Sequence, residues 1–222
     1  MVFGTVHPES VDAFFEVSEE LNMRNICGKV LMDRNAPDYL LDTDLETAKQ
    51  HGLIPRLHAD EFEDSGAAEL AGATGSISAD HLMAVSDEGI QKLAENRTIA
   101  TLLPGTTFFL GKSGYAPYLK LIEAGVDVAL ATDFNPGSCY IQSMPFILSL
   151  SCIYLKMPIL DAIMAATFTS AKSLQLENEV GSIEIGKKAD ILVWNIERTV
   201  QIPFLIADHS IQSIIKNGSI VP

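Results

Sequence analysis

Cysteine is scarce in this 222-residue sequence: Cys27, Cys139 and Cys152 are odd in number, far apart and form no Cys-x-x-Cys pair. A disulfide framework and a structural zinc site of the cysteine type are thereby excluded, and the expectation is reduced, buried thiols in a cytoplasmic protein. Basic residues are also few. The 15 Lys and Arg stand against 29 Asp and Glu, for a net charge of −14, and the acids are spread along the chain instead of forming a tail. Nucleic acid and anionic membrane surfaces both need clustered Lys and Arg, so neither is an expected partner, and a small-molecule substrate fits better. The apolar stretch from Met144 to Phe168 is interrupted by Lys156, Pro158 and Asp161, which excludes a membrane span there. The first residues lack a basic region followed by an apolar one, so export is not expected either.

What is present is a hydrophobic fraction of 47%, enough for a sizeable core. Apolar and amphipathic stretches alternate. Ser10 is placed to cap a helix whose inner stripe includes Val11, Phe14, Phe15 and Leu21, and "ICGKVLMD" (26–33) reads as a buried strand. Further on, "LETAKQHG" leads to "LIPRLHAD", "GAAELAGATG" to "SISADHL", "SDEGIQKLAEN" to "TIATLLPGT", and "YAPYLKLIEAG" to "VDVALATDF". Strands that are apolar nearly throughout and alternate with helices predict a parallel sheet covered by helices, so the fold class is α/β. Two helical segments divided near Pro158 follow. At the C-terminus "ADILVWN" and "SIIKNGSIV" read as strands, the second carrying the hairpin signal Asn217-Gly218. They predict a small C-terminal β appendage.

Polar residues fall at the ends of successive predicted strands: His58 with Asp60 and Glu61, Asp80 with His81, Pro104-Gly105-Thr106, and Asp133 with Asn135. In parallel α/β sheets the carboxyl ends of the strands form the ligand face. Taken singly, His58 or His81 reads as a hydrogen-bonded core histidine, and Asp133 before "FNPG" as a loop cap. Together they suit the ligands and acid/base groups of a divalent metal site, with Glu61 placed to handle a proton.

At these residues the chain resembles imidazolonepropionase, of the amidohydrolase superfamily, from about Thr47 to the end. The resemblance is carried by "HADEF", "ISADHL", "LLPGTTFFLG" and "ALATDFNPGS", while "GSIEIGKKADILVWN" is similar to the small β domain of metal-dependent amidohydrolases more widely. It implies a (β/α)8 TIM barrel, part of which lies in residues 1–180, with residues 181–222 forming the C-terminal part of a small β-sandwich domain. It also implies histidine catabolism, in which the ring of 4-imidazolone-5-propanoate is opened to N-formimino-L-glutamate, and one divalent metal, zinc or iron. Matched residue by residue, His58 and Asp133 correspond to metal ligands, Glu61 to a substrate-binding residue that acts in catalysis, and His81 to the group that polarises the substrate. Asp133 also corresponds to a catalytic proton acceptor, and Asn135, Gly137 and Ser138 to positions that contact substrate or product.

Residues from about 3 to 43 are similar instead to bacterial guanine deaminase, a sister branch, through "TVHPESVDAFF" and "GKVLMDRNAPDYL", with a join near 42–47. The superfamily supplies two further metal ligands from a His-x-His, which this sequence does not contain. Arg34 and Arg56 are the candidates left for a substrate carboxylate. A closed barrel takes typically about 250 residues, and about six strand-helix units can be placed here. An incomplete barrel with open edges predicts association into a homo-oligomer. Two alternatives stay open: a guanine-deaminase-like hydrolase of cyclic C–N bonds, and a non-catalytic fragment.

Overall fold

The computed structural model describes residues 9–21, 23–26, 54–206 and 210–221. It divides the chain into two compact units, residues 1–55 and 56–222. In the first, helix α1 spans Glu9–Glu20. It starts one residue ahead of Ser10, so Ser10 lies within the helix and not at its cap. The expected inner stripe is not buried: Phe14 and Phe15 are 44% and 45% exposed, and Leu21 is exposed as well. Three-four spacing gives a helix an apolar face, but burial requires a partner for that face. The expected strand over 26–33, apart from Ile26, and the expected helix over 45–52 lie outside the described residues. So do Cys27, Arg34 and the histidines at 7, 51 and 209.

The second unit alternates strands and helices much as its sequence predicts. Four strands, β1 (Arg56–Ala59), β2 (Ser78–His81), β3 (Ile99–Leu102) and β4 (Val128–Leu130), form a parallel sheet in sequential order. β2 and β3 are buried along their whole length, which is what two covered faces require of central parallel strands. Among the described residues this sheet has four strands and does not close. Between them run α2 (Ala67–Ala73), α3 (Asp87–Asn96), α4 (Pro104–Phe109) and α5 (Tyr118–Glu123). The β3 segment is shorter than expected because Pro104 opens a helix, where its fixed φ and missing N–H are tolerated. Ser86 caps α3 by accepting from Gly89 N at 2.8 Å, and Asp87 and Glu88 follow in the first turn. Helices α2 and α3 approach closely at Gly72, where a Cβ would come within 2.6 Å of the Lys92 carbonyl oxygen.

Beyond β4, α6 (Met144–Leu150) runs into a π-helical turn, Ser151–Leu155, and α7 (Ile159–Ala166) starts after Pro158. Helix α8 (Phe168–Ser173) follows, and its Ser170 hydroxyl donates to the Leu130 carbonyl at 2.9 Å. The core joins Ala79, Ala100, Leu102 and Leu130 of the sheet to Leu93, Leu121, Ile147 and Ala165 of the helices. The expected β appendage is present: β5 (Ile191–Trp194), β6 (Ile211–Lys216) and β7 (Ser219–Val221) form an antiparallel sheet. The hairpin between β6 and β7 turns at Asn217 and Gly218, with φ of 49° and 80°. Helix α9 (Gln201–Phe204) precedes β6, and the Ser149 hydroxyl donates to the Pro203 carbonyl at 2.7 Å.

Candidate active site

Parallel pairing aligns the strand ends. His58 on β1 is in register with Asp80 on β2, and Ala59 with His81. Beyond these positions the backbone turns sharply. Asp60, His81 and Asp133 adopt φ of 48°, 81° and 52°, a left-handed region that costs a residue with a Cβ free energy. Such strain, repeated at three strand ends, aims side chains that an ordinary extended exit would point elsewhere.

The result is a tight group. Ligand atoms of His58, Glu61 and His81 all lie within 4.8 Å of one another. The two imidazoles meet edge to face with centroids 5.1 Å apart, and His81 Nε2 is 3.7 Å from Glu61 Oε2. His81 is 3% exposed, and its Nδ1 is buried without a hydrogen-bond partner. Its pKa is pushed down to about 4, first by burial and then by the charge of His58, against the opposing pull of Asp133 and Asp80. At neutral pH the ring is therefore uncharged, and its contact with Glu61 is not an ion pair. Glu61 is shifted upward by burial; His58 and Lys112 oppose that shift and Asp133 adds to it.

Asp133 stands close enough to act electrostatically on both Glu61 and His81, but it is not part of the tight group. Its Oδ2 accepts a hydrogen bond from Thr106 Oγ1 at 2.6 Å. Thr106 is fully buried on the first turn of α4, so the strand-end threonine holds the aspartate in place. Asn135 organises the loop that follows. Its Oδ1 accepts from Gly137 N and Ser138 N, each at 2.8 Å, and its Nδ2 donates to the Asp133 carbonyl at 2.7 Å and to Ser138 Oγ at 3.0 Å. The loop after β4 is thus held by an Asx-turn at Asn135, and not by Asp133 acting as its cap.

Two acids of the strand-end pattern point elsewhere. Asp60 caps α2, accepting from Ser65, Ala67 N and Ala68 N. Asp80 is bound by Arg56 Nε at 3.0 Å, while the same guanidinium donates to Thr101 Oγ1 at 3.0 Å and to Ser173 Oγ at 3.2 Å. Arg56 is therefore occupied within the protein and is not the free carboxylate binder the sequence suggested. Cys139 is buried with its thiol against the Thr132 carbonyl, and Cys152 is half-buried; both are free thiols.

A cleft of about 370 Å³ opens beside the group, lined by Glu61, Phe62, Met83 and the 111–114 loop. Lys112 of that loop lies over the Phe62 ring, its Nζ 4.1 Å from the centroid. Sequence reasoning missed Phe62 and Lys112, since a lysine between glycines in a loop carries no pattern of its own. Among the described residues no helix is long and apolar enough to cross a membrane.

The donor set suits a divalent metal: two imidazoles, one of them kept neutral and with an unpartnered buried nitrogen, and a carboxylate. A sequence model of the Amidohydrolase family matches residues 81–221. The chain is 46% identical over 177 residues to the imidazolonepropionase of Geobacillus thermodenitrificans, covering 80% of this chain and 42% of that protein. It is 43% identical over 178 residues, with the same shares covered, to that of Bacteroides thetaiotaomicron. The chain thus spans about two fifths of the length of these curated relatives. Among solved structures, guanine deaminase from E. coli superposes with a TM-score of 0.72 at 24% identity over 100% of this chain and 70% of that one. Guanine deaminase from C. acetobutylicum with bound guanine gives 0.78 at 19% identity over 98% and 70%. Identities this low speak for the fold alone.

Proposed function

The chain belongs to the amidohydrolase family, whose TIM-barrel type of fold it shares, and on that premise we propose that it works as an imidazolonepropionase-like hydrolase. The reaction is opening of the ring of 4-imidazolone-5-propanoate to N-formimino-L-glutamate, in the cytoplasm. The observation that carries this reading is the His58–Glu61–His81 group, ligand atoms within 4.8 Å, in a segment 46% identical to a protein of that name. Residues up to about 180 are then part of the catalytic barrel, and 181–222 part of the small β domain.

His58 and Asp133, with Glu61 and His81 at hand, would hold the metal, zinc or iron. When bound, a divalent ion supplies Lewis acidity to water and to the scissile carbonyl. The protein groups carry the protons. Glu61, its pKa raised by burial, accepts a proton from the attacking water and returns one to the ring nitrogen that leaves. His81, neutral at working pH, donates an N–H toward the carbonyl oxygen as negative charge develops on it. Thr106 fixes Asp133, and the Asn135 turn sets Gly137 and Ser138 at the edge of the same strand end, where they meet substrate.

Turnover tests the reading. Purified protein supplemented with zinc or iron is expected to consume 4-imidazolone-5-propanoate and to leave guanine untouched. Guanine turnover would move the assignment to the deaminase branch. No turnover of either, with the protein folded and loaded, would leave a non-catalytic protein of this family.

A further inference from the structure

Lysines in this acidic protein are mostly spoken for. Lys92 pairs with Glu95, Lys120 with Asp87, Lys172 with Asp127, Lys187 with Glu184 and Lys188 with Glu179. Among the described residues no carboxylate lies within ion-pair distance of Lys112, although acids outnumber basic residues 29 to 15. Its ammonium rests instead on the Phe62 ring, a contact that orients the charge without neutralising it. Both residues line the cleft that also reaches Glu61. Gly111 and Gly114 flank Lys112 and Ser113, and a Cβ at either glycine would meet nothing within 4 Å, so the loop is uncrowded at both ends.

Two acids act on the same site: Glu61 lines the cleft and Asp133 is close enough to act on its charge. Glu61 and Asp133 would repel any substrate that carries an anionic group unless a cation offsets them. Arg56, the other cation near the sheet, is committed to Asp80, Thr101 and Ser173.

We infer that Lys112 is the specificity residue of the cleft, binding the carboxylate on a short arm of a ring substrate while the ring itself lies toward Glu61 and His81. This rests on the proposed hydrolase reading for the position of the ring. Phe62 holds the ammonium in place and Ser113 offers a hydroxyl on the same loop. An ammonium-carboxylate contact of this partly exposed kind favours the anion by about tenfold.

Binding separates this inference from the reaction. Wild-type protein is titrated calorimetrically with 3-(imidazol-4-yl)propanoate and with 4-methylimidazole, which share a ring and differ in the carboxylate. The expected result is about tenfold tighter binding of the propanoate, loss of that preference in Lys112→Met, and its retention in Lys112→Arg. Equal affinity of the wild type for both compounds, binding of neither, or an unchanged preference in Lys112→Met would overturn it. Absence of turnover would sink the proposed reaction and leave this difference in binding intact.

Discussion

The imidazole of His58, at the end of β1, meets the imidazole of His81, at the end of β2, edge to face at 5.1 Å between centroids. The two come from adjacent parallel strands whose register puts Ala59, not His58, opposite His81. The left-handed turn at His81 brings the rings together across that offset.

That pairing gives the first prediction. If His58 and Asp133 hold one ion while His81 faces the substrate carbonyl, His58→Ala removes a ligand and His81→Ala removes none. Elemental mass spectrometry on protein loaded with zinc and then desalted is expected to find about one ion per chain in the wild type and in His81→Ala, and a small fraction of that in His58→Ala. Full retention in His58→Ala would place the metal elsewhere, and loss from His81→Ala would make that imidazole a ligand.

Tyr118 gives a pH dependence away from the site. Its hydroxyl donates to Asp161 at 3.1 Å, and its pKa is pushed up to about 12 by burial first and by Asp161 second. In the folded protein the proton is held more tightly than in the unfolded chain, whose tyrosines titrate near 10. The folded state therefore binds more protons between pH 10 and 12, and stability falls as pH rises through that window. Urea denaturation of wild type and Tyr118→Phe should give a stability difference that is constant below pH 10 and shrinks above it. A difference independent of pH up to 12 would show that the hydroxyl is not protected.

The parallel sheet was legible because short strand segments alternate with amphipathic helices, and the site was legible because polar residues gather at the ends of those segments. The parity of adjacent side chains was not. Asp60 and Glu61 are neighbours, yet one caps α2 and the other faces His81; Asp80 and His81 divide in the same way. Which of two adjacent residues faces the site depends on left-handed turns at Asp60 and His81, and neither residue type demands one. Asp80's partner network reaches Ser173, 117 residues beyond Arg56, which no local pattern encodes. The stripe of α1 illustrates a different limit: periodicity reports a face, and burial depends on what covers it.

Thr106 acts through Asp133. Thr106→Val keeps the shape and removes the hydroxyl that donates to Asp133 Oδ2. Groups that orient metal-site ligands are worth about tenfold to a hundredfold in metal affinity. The expectation is zinc affinity weaker by about tenfold in Thr106→Val, measured by chelator competition, with Thr106→Ser close to wild type. Equal affinity in all three proteins would mean that Asp133 takes no part in holding the ion.

Arg56 and Asp80 carry the last prediction. The carboxylate is nearly buried, and two groups, the Arg56 guanidinium and the Ser78 hydroxyl, hold it by hydrogen bonds. Removing the guanidinium leaves Asp80 with Ser78 alone and strips Thr101 and Ser173 of their donor. Breaking a fully buried pair costs about 3–5 kcal/mol, and the side-chain exposure of Arg56, 31%, reduces that. Arg56→Ala is therefore expected to lower stability by about 2–3 kcal/mol in urea denaturation. Adding Asp80→Asn should recover part of the loss, because the uncompensated charge is then gone. A double-mutant cycle with coupling near zero would show that the two side chains, although within hydrogen-bond distance, contribute independently. Coupling above about 1 kcal/mol would show that the Arg56–Asp80 contact, which links the start of β1 to the residue of β2 in register with His58, helps to hold the two strands together.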